Sequence, residues 1–373
     1  MIRTLHRLLP LLLTAAFILT AGAGGVGVYA QSNASEAPKE KSGSKPKILP
    51  KPPLPPKPPK APKTKSAVVA SSGSDEVLPP EKAIVVRPDV YVSLCVRRGA
   101  VRVNGWNRKE VRIFHRGGKE LGLKVLERDG EKVPTWVEVL GYEPEKATSG
   151  SDKCLTGEMI ELDVPNGASV TIKGLSSETS VEGIKSAAVE IVGGDIYLND
   201  IASRIEARTQ QGGVTVNNSK GKMAVATTTG NIVAYNTEAV DAGDYFKAKT
   251  RSGSVTLQSI GQKDIVASTI TGSINYLGEI KNYGKYEFST TNGILNIVLP
   301  ESACFWINAA YGGRFISDFK VTVITEDETE SAMYLKGRVC SGEANLSLRS
   351  YSGTIHLRKR EATAGDPRIV IVP

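Results

Sequence analysis

The chain has 373 residues with 40% hydrophobic and 23% charged side chains, enough for one sizeable core but lean in aromatics at 6%. Its net charge of +8 is unevenly placed: residues 1–30 account for +2 and residues 31–80 for +5, so only +1 remains for residues 81–373. A near-neutral body argues against nucleic-acid binding through a basic face and assigns any contact with an anionic polymer or lipid to the N-terminal lysines.

The first thirty residues open with Arg3 and Arg7, continue through an apolar run and end in Val28-Tyr29-Ala30. That is the layout of a secretory signal cleaved after Ala30. The alternative reading is an uncleaved anchor, because residues 8–30 carry no charge and are long enough to span a bilayer. Residues 31–80 hold 12 of the 20 prolines around KPPLPPKPPKAPK. Such a segment favours extended polyproline II and cannot bury a core, so it reads as a disordered spacer.

Residues 81–160 precede the regular repeats and read as an N-terminal β region and cap. Residues 161–360 carry the repeats, and 361–373 form a tail. Aligned on a central Gly, the chain reads AAVEIVGGDIYL (Gly194), IEARTQQGGVTV (Gly212), MAVATTTGNIVA (Gly230), FKAKTRSGSVTL (Gly253), IVASTITGSINY (Gly272) and YEFSTTNGILNI (Gly293). The spacings are 18, 18, 23, 19 and 21 residues. Late copies are read at Gly342 and Gly353 and an early one at Gly99, while VTIKGLSSETSV has Ser177 in the Gly position.

Positions −7, −5 and −3 from the Gly are apolar or small, and those between are polar, which is the period of a strand with one buried face. The three-residue step to the Gly breaks that alternation and predicts a corner. Positions +2 and +4 then resume the apolar face, as in Val214 and Val216. One unit cannot cover its own apolar face, so the copies are predicted to stack as rungs of an all-β, single-stranded β-solenoid, with Thr209, Thr227, Thr250, Thr269 and Thr290 in one row. An antiparallel sandwich is the alternative, but hairpin pairing does not demand constant offsets from Gly. The longest interval places extra residues in an outward loop, 237–245, whose Asp241, Asp244 and Tyr245 are candidate binding residues.

Four cysteines in an exported chain suit two disulfides. Their positions favour Cys95–Cys154 and Cys304–Cys340. Cys-x-x-Cys spacing is absent and only His6, His115 and His356 occur, leaving few parts for a thiol or multi-His site. The acids are dispersed, and TEDETE (325–330) reads as a solvated loop. No catalytic, metal or cofactor residue is therefore expected. Trp106, Trp136 and Trp306 flank the regular copies and are assigned to the ends of the stack.

On VRVNGWNRKEVRI (101–113), VPNGASVTIKG (164–174), LPESACFWINAAYGGRFISDF (299–319) and LKGRVCSGEANLSLRSYSGTIHL (335–357), the chain resembles the putative adhesin β-strand-repeat family of bacteria. The resemblance covers roughly residues 90–358 and implies an exported, envelope-associated β-solenoid without an established catalytic residue. The cysteines and the Lys/Pro spacer depart from the family pattern, as does Arg314, which falls where an inward apolar residue is expected after Gly312. The resulting expectation is a secreted or periplasmic, non-catalytic module that binds a glycan or protein of the envelope. A polysaccharide-active β-helix enzyme and an envelope sensor or self-assembling scaffold are the alternatives.

Overall fold

The alternation becomes strand throughout. The computed structural model describes residues 81–118, 121–127, 133–144, 152–329 and 332–360, and the regular elements among them are 26 β-strands in one large mixed sheet. The signal, the spacer and the tail lie outside the described residues.

Each copy supplies a long strand, the Gly corner and a short strand. The long strands Ser169–Ser176, Ser186–Gly193, Arg204–Gln211, Lys222–Thr229, Tyr245–Ser252, Asp264–Thr271 and Lys285–Asn292 pair in parallel, each with its equivalent in the next copy. The short strands Thr179–Glu182, Ile196–Asn199, Val214–Asn217, Ile232–Thr237, Val255–Ile260, Ile274–Leu277 and Leu295–Leu299 form a second parallel ladder. Register follows the predicted offsets, with Thr209 opposite Thr227 and Val214 opposite Ile232. The inward positions are dry: Ile205, Ala207, Thr209, Val214 and Val216 are all 5% exposed or less. At the late copies the core takes larger residues, and Tyr276 packs 5.0 Å from Phe288, centroid to centroid.

The corner has a steric reason for its glycine. Gly194, Gly212, Gly230, Gly253 and Gly272 have φ between +118° and +151°, a region that L side chains rarely adopt. A Cβ on any of them would also fall well inside van der Waals contact of the corner carbonyl oxygen of the preceding copy. At Gly212, Gly230, Gly253, Gly272 and Gly293 the oxygen so approached also accepts a hydrogen bond from the threonine three residues before the glycine. Thr209, Thr227, Thr250, Thr269 and Thr290 donate to Gly194, Gly212, Gly230, Gly253 and Gly272 at 2.8–3.1 Å.

A second corner was not read from the sequence. Six residues after the glycine, Asp200, Asn218, Asn236 and Ser259 stand in left-handed backbone with φ of 47–55°. Short polar side chains tolerate that conformation, and at this position they turn the chain toward the next long strand.

At the N-terminal end, Tyr91–Trp106 runs through the Gly99 corner and pairs in parallel with the first strands of both ladders. Pro134–Leu140 and Leu155–Pro165 extend it in parallel. Antiparallel strands Gly122–Glu127, Glu110–Arg116 and Glu81–Val85 then close this end. Arg112 donates to Asp163 and lies 4.9 Å from the Trp106 ring and 4.7 Å from that of Phe114, which places Trp106 among the strands at this end.

The C-terminal end departs from chain order. Ala344–Ser350 pairs in parallel with Lys285–Asn292 on one side and Phe305–Tyr311 on the other. Likewise, Ile355–Lys359 lies between Leu295–Leu299 and Phe315–Ser317. The Gly353 copy therefore follows Gly293 in space, with Ser350 Oγ donating to Gly293 O at 2.9 Å, and the earlier segment stacks outside it.

The expected copy at Gly342 is corrected, because Met333–Val339 is antiparallel to both Phe305–Tyr311 and Thr322–Glu328 and belongs to a return hairpin. The corner of the outermost copy is Gly313 and not Gly312. Gly313 N donates to Gly353 O, and Phe315 and Ser317 oppose Ile355 and Leu357, which leaves Arg314 exposed. Both expected disulfides are present, Cys95–Cys154 and Cys304–Cys340.

Two measurements test this account. Gly230→Ala should destabilise the chain by roughly 3 kcal/mol or more, through strain and collision at once. Gly243→Ala, with nothing within 4 Å of its Cβ, should stay within about 0.5 kcal/mol of wild type; urea unfolding of both variants reads the difference.

The second test is alkaline. Burial pushes the Tyr276 and Tyr286 hydroxyls up, while in the unfolded chain they ionise near pH 10. The folded state then holds more protons above that pH, so stability should be level below about pH 10 and fall as pH rises beyond it. Tyr276→Phe should make that decline shallower, at the cost of the hydrogen bond to Glu279 O.

Candidate functional site

Strand alternation that sends five residues of each copy inward sends the others outward, and the long-strand ladder thereby presents parallel rows of side chains to solvent. One row is formed by Lys173, Glu190, Arg208, Ala226, Lys249 and Ser268, matched one to the next by strand register. Two residues along the strands, Leu175, Val192, Gln210, Thr228, Arg251 and Ile270 form a second row. Leu175, Val192 and Ile270 are exposed apolar side chains.

This face carries two grooves. The first, about 650 Å³, lies at the C-terminal end, where Thr325, Asp327, Tyr334 and Lys336 of the return hairpin join Arg349 of Ala344–Ser350 and Tyr351 just after it. Tyr334 and Tyr351 are exposed and Tyr311 is buried; hydroxyls of Ser289, Thr291 and Ser347 complete the lining. Aromatic faces beside hydroxyl, carboxylate and cationic groups can stack on and hydrogen-bond a polar ligand.

The second groove, about 770 Å³, begins at the Cys95–Cys154 bridge and runs over Lys173, Arg208, Lys249 and Arg251 as far as Ile270. Neither groove is legible in the sequence. The hairpin and the inserted strand reach their positions only through strand pairing, and the rows have members 17 to 23 residues apart.

The loop residues singled out in the sequence behave differently from one another. Asp244 is buried, and its Oδ2 accepts from the backbone N–H of Val240 and of Asp241, both at 2.8 Å. It staples the loop and leaves Val240 exposed near its tip. Asp241 is exposed, and Tyr245 is half-buried with Lys247 Nζ 4.3 Å from its ring centre. None of the three lines either groove. Among the described residues no three His, Cys, Asp or Glu side chains converge as metal ligands would.

No family model matches the chain. No curated protein matches it either. Among solved structures, the chain is similar to a putative cell adhesion protein from Clostridium sporogenes, with 12% identity over 76% of this chain and 100% of that one and a TM-score of 0.23. A TM-score of that size establishes neither fold nor function for the present chain.

The Cys95–Cys154 bridge walls the second groove and closes a long loop, so its loss should show in stability. Replacing both residues by Ser should lower stability by about 2–4 kcal/mol, read as a downward shift of the thermal midpoint measured without reductant, with Cys304–Cys340 intact.

Proposed function

We propose that the chain is an exported, adhesin-like β-solenoid that binds an envelope or surface ligand without catalysing its turnover. The repeated copies wind as rungs of that solenoid. The observation that carries the reading is the outward face of the long-strand ladder. It is built from side chains that the core does not use, and strand pairing sorts them into two lined grooves. Two disulfides support an oxidising compartment, in keeping with the signal-like N-terminus.

The exported chain should begin at Gln31 when its N-terminus is sequenced. Mature protein should bind isolated envelope fractions saturably and release no soluble sugar from them. Arg349→Ala combined with Tyr351→Ala should weaken that binding about tenfold, the loss of one or two contacts each worth about 1 kcal/mol, with an unchanged thermal midpoint. Full binding by this variant and by one lacking 237–245 would remove both from the contact surface, and release of oligosaccharide would move the chain to the enzyme class.

End-to-end assembly is opposed by the last strand of the long ladder. Thr322–Glu328 is exposed along its whole length and carries Glu326, Asp327 and Glu328, and acidic side chains on an open edge discourage pairing with another chain. Sedimentation of the mature protein should give a monomer.

A further inference from the structure

The body of the chain is close to neutral, yet its charges are not evenly mixed. In the groove that starts at Cys95–Cys154, Lys173, Arg208, Lys249 and Arg251 face outward together with a single carboxylate, Glu190. All five are exposed, and no hydrogen bond or ion pair engages any of the four cations among the described residues. Three other cations of the same ladder are engaged: Arg204 pairs with Glu206, Lys285 with Glu287, and Lys247 lies over Tyr245.

The free cations have a regular spacing. Register places Lys173, Arg208 and Lys249 in one row with Glu190 and Ala226 between them. At one strand spacing per copy, neighbouring cations stand about 10 Å apart. Beside them the second row offers Leu175, Val192 and Ile270 as apolar floor and Gln210 and Thr228 as hydrogen-bonding groups.

We propose that this groove binds a linear anionic polysaccharide lying across the strands, with its acidic groups on Lys173, Arg208, Lys249 and Arg251 and its sugar faces on Leu175, Val192 and Ile270. The occupant follows from the combination. Cations at a fixed repeat suit a chain polymer with regularly placed charge. An apolar and amide-bearing floor suits sugar rings, which have C–H faces and hydroxyls. The lining has no aromatic side chain, whereas single-stranded nucleic acid is held by stacking. This assignment rests on the binding-module reading above and revises the expectation that only the spacer lysines meet polyanions.

The test uses full mature chain and four probes: polygalacturonate oligosaccharides, neutral dextran, inorganic polyphosphate and single-stranded DNA. Titration calorimetry at low and physiological salt reads affinity. Polygalacturonate should bind, dextran should not, and added salt should weaken the interaction. The triple variant Lys173→Glu, Arg208→Glu, Lys249→Glu should lose polygalacturonate affinity by about tenfold or more while keeping the wild-type thermal midpoint. Replacing Lys51, Lys57, Lys60 and Lys63 by Gln should leave it unchanged.

Undiminished binding by the triple variant overturns the proposal, as does loss of binding in the spacer variant alone, or tighter binding of polyphosphate or DNA than of polygalacturonate. If the triple variant fails to fold, Lys249→Gln with Arg208→Gln reads the same loss in smaller measure. Envelope-fraction binding, measured on the same samples, separates the two readings. Retained envelope binding without polygalacturonate binding defeats the groove assignment alone, and absence of both defeats the binding-module reading itself.

Discussion

The contact on which the rest of the molecule depends is the one between successive corners. From Gly212 to Gly293, a carbonyl oxygen of one copy lies against the bare Cα of the next glycine and accepts the hydroxyl of the threonine three residues earlier. The glycine is required twice, by its backbone conformation and by the space it leaves. The threonine satisfies an oxygen that would otherwise face a closed corner, at about 1 kcal/mol for each such bond. Because each corner is seated on the last, strand register cannot slip by a residue without losing this contact and turning the apolar set outward. The dry interior and the sorted outer rows both follow from that lock.

A parallel stack leaves two unpaired edges on each ladder, and the two ends of this molecule meet that problem differently. At the start, antiparallel strands are laid over the edge, and Arg112 is held between Asp163 and two aromatic rings. At the finish the chain makes its outermost copy first, returns through a hairpin, and inserts Ala344–Ser350 between strands already laid down. Cys304–Cys340 ties the two ends of that excursion together. The outer strand of that hairpin, Thr322–Glu328, is exposed and carries three acids, and the adjoining sheet face forms a groove against the hairpin.

Charge shows the same division between average and arrangement. A net charge near zero for residues 81–373 says that cations and anions balance. It does not say where they stand. Strand register gathers Lys173, Arg208 and Lys249 into one row, while Glu206 and Glu287 are occupied by Arg204 and Lys285 elsewhere on the ladder. Binding on such a surface depends on which charges are left without partners, a property of neighbours that are far apart in the chain.

The sequence by itself determined the repeating unit: which residues face inward, where the first corner falls, and that the threonines form one row. These are legible because offset from the glycine and period-two alternation are local properties, set by covalent geometry and side-chain size. Asp200, Asn218, Asn236 and Ser259 lay in that same pattern, six residues after the glycine, but their mixed identities hid a shared left-handed backbone. Only the tertiary structure decided the spatial order of the last copies, the Gly313 corner, and the grooves. Parallel pairing rewards any strand with matching inward residues, and Gly342 has the local signature of a corner while its strand runs antiparallel. Local pattern cannot choose among partners equally well matched; the packing of distant strands makes that choice.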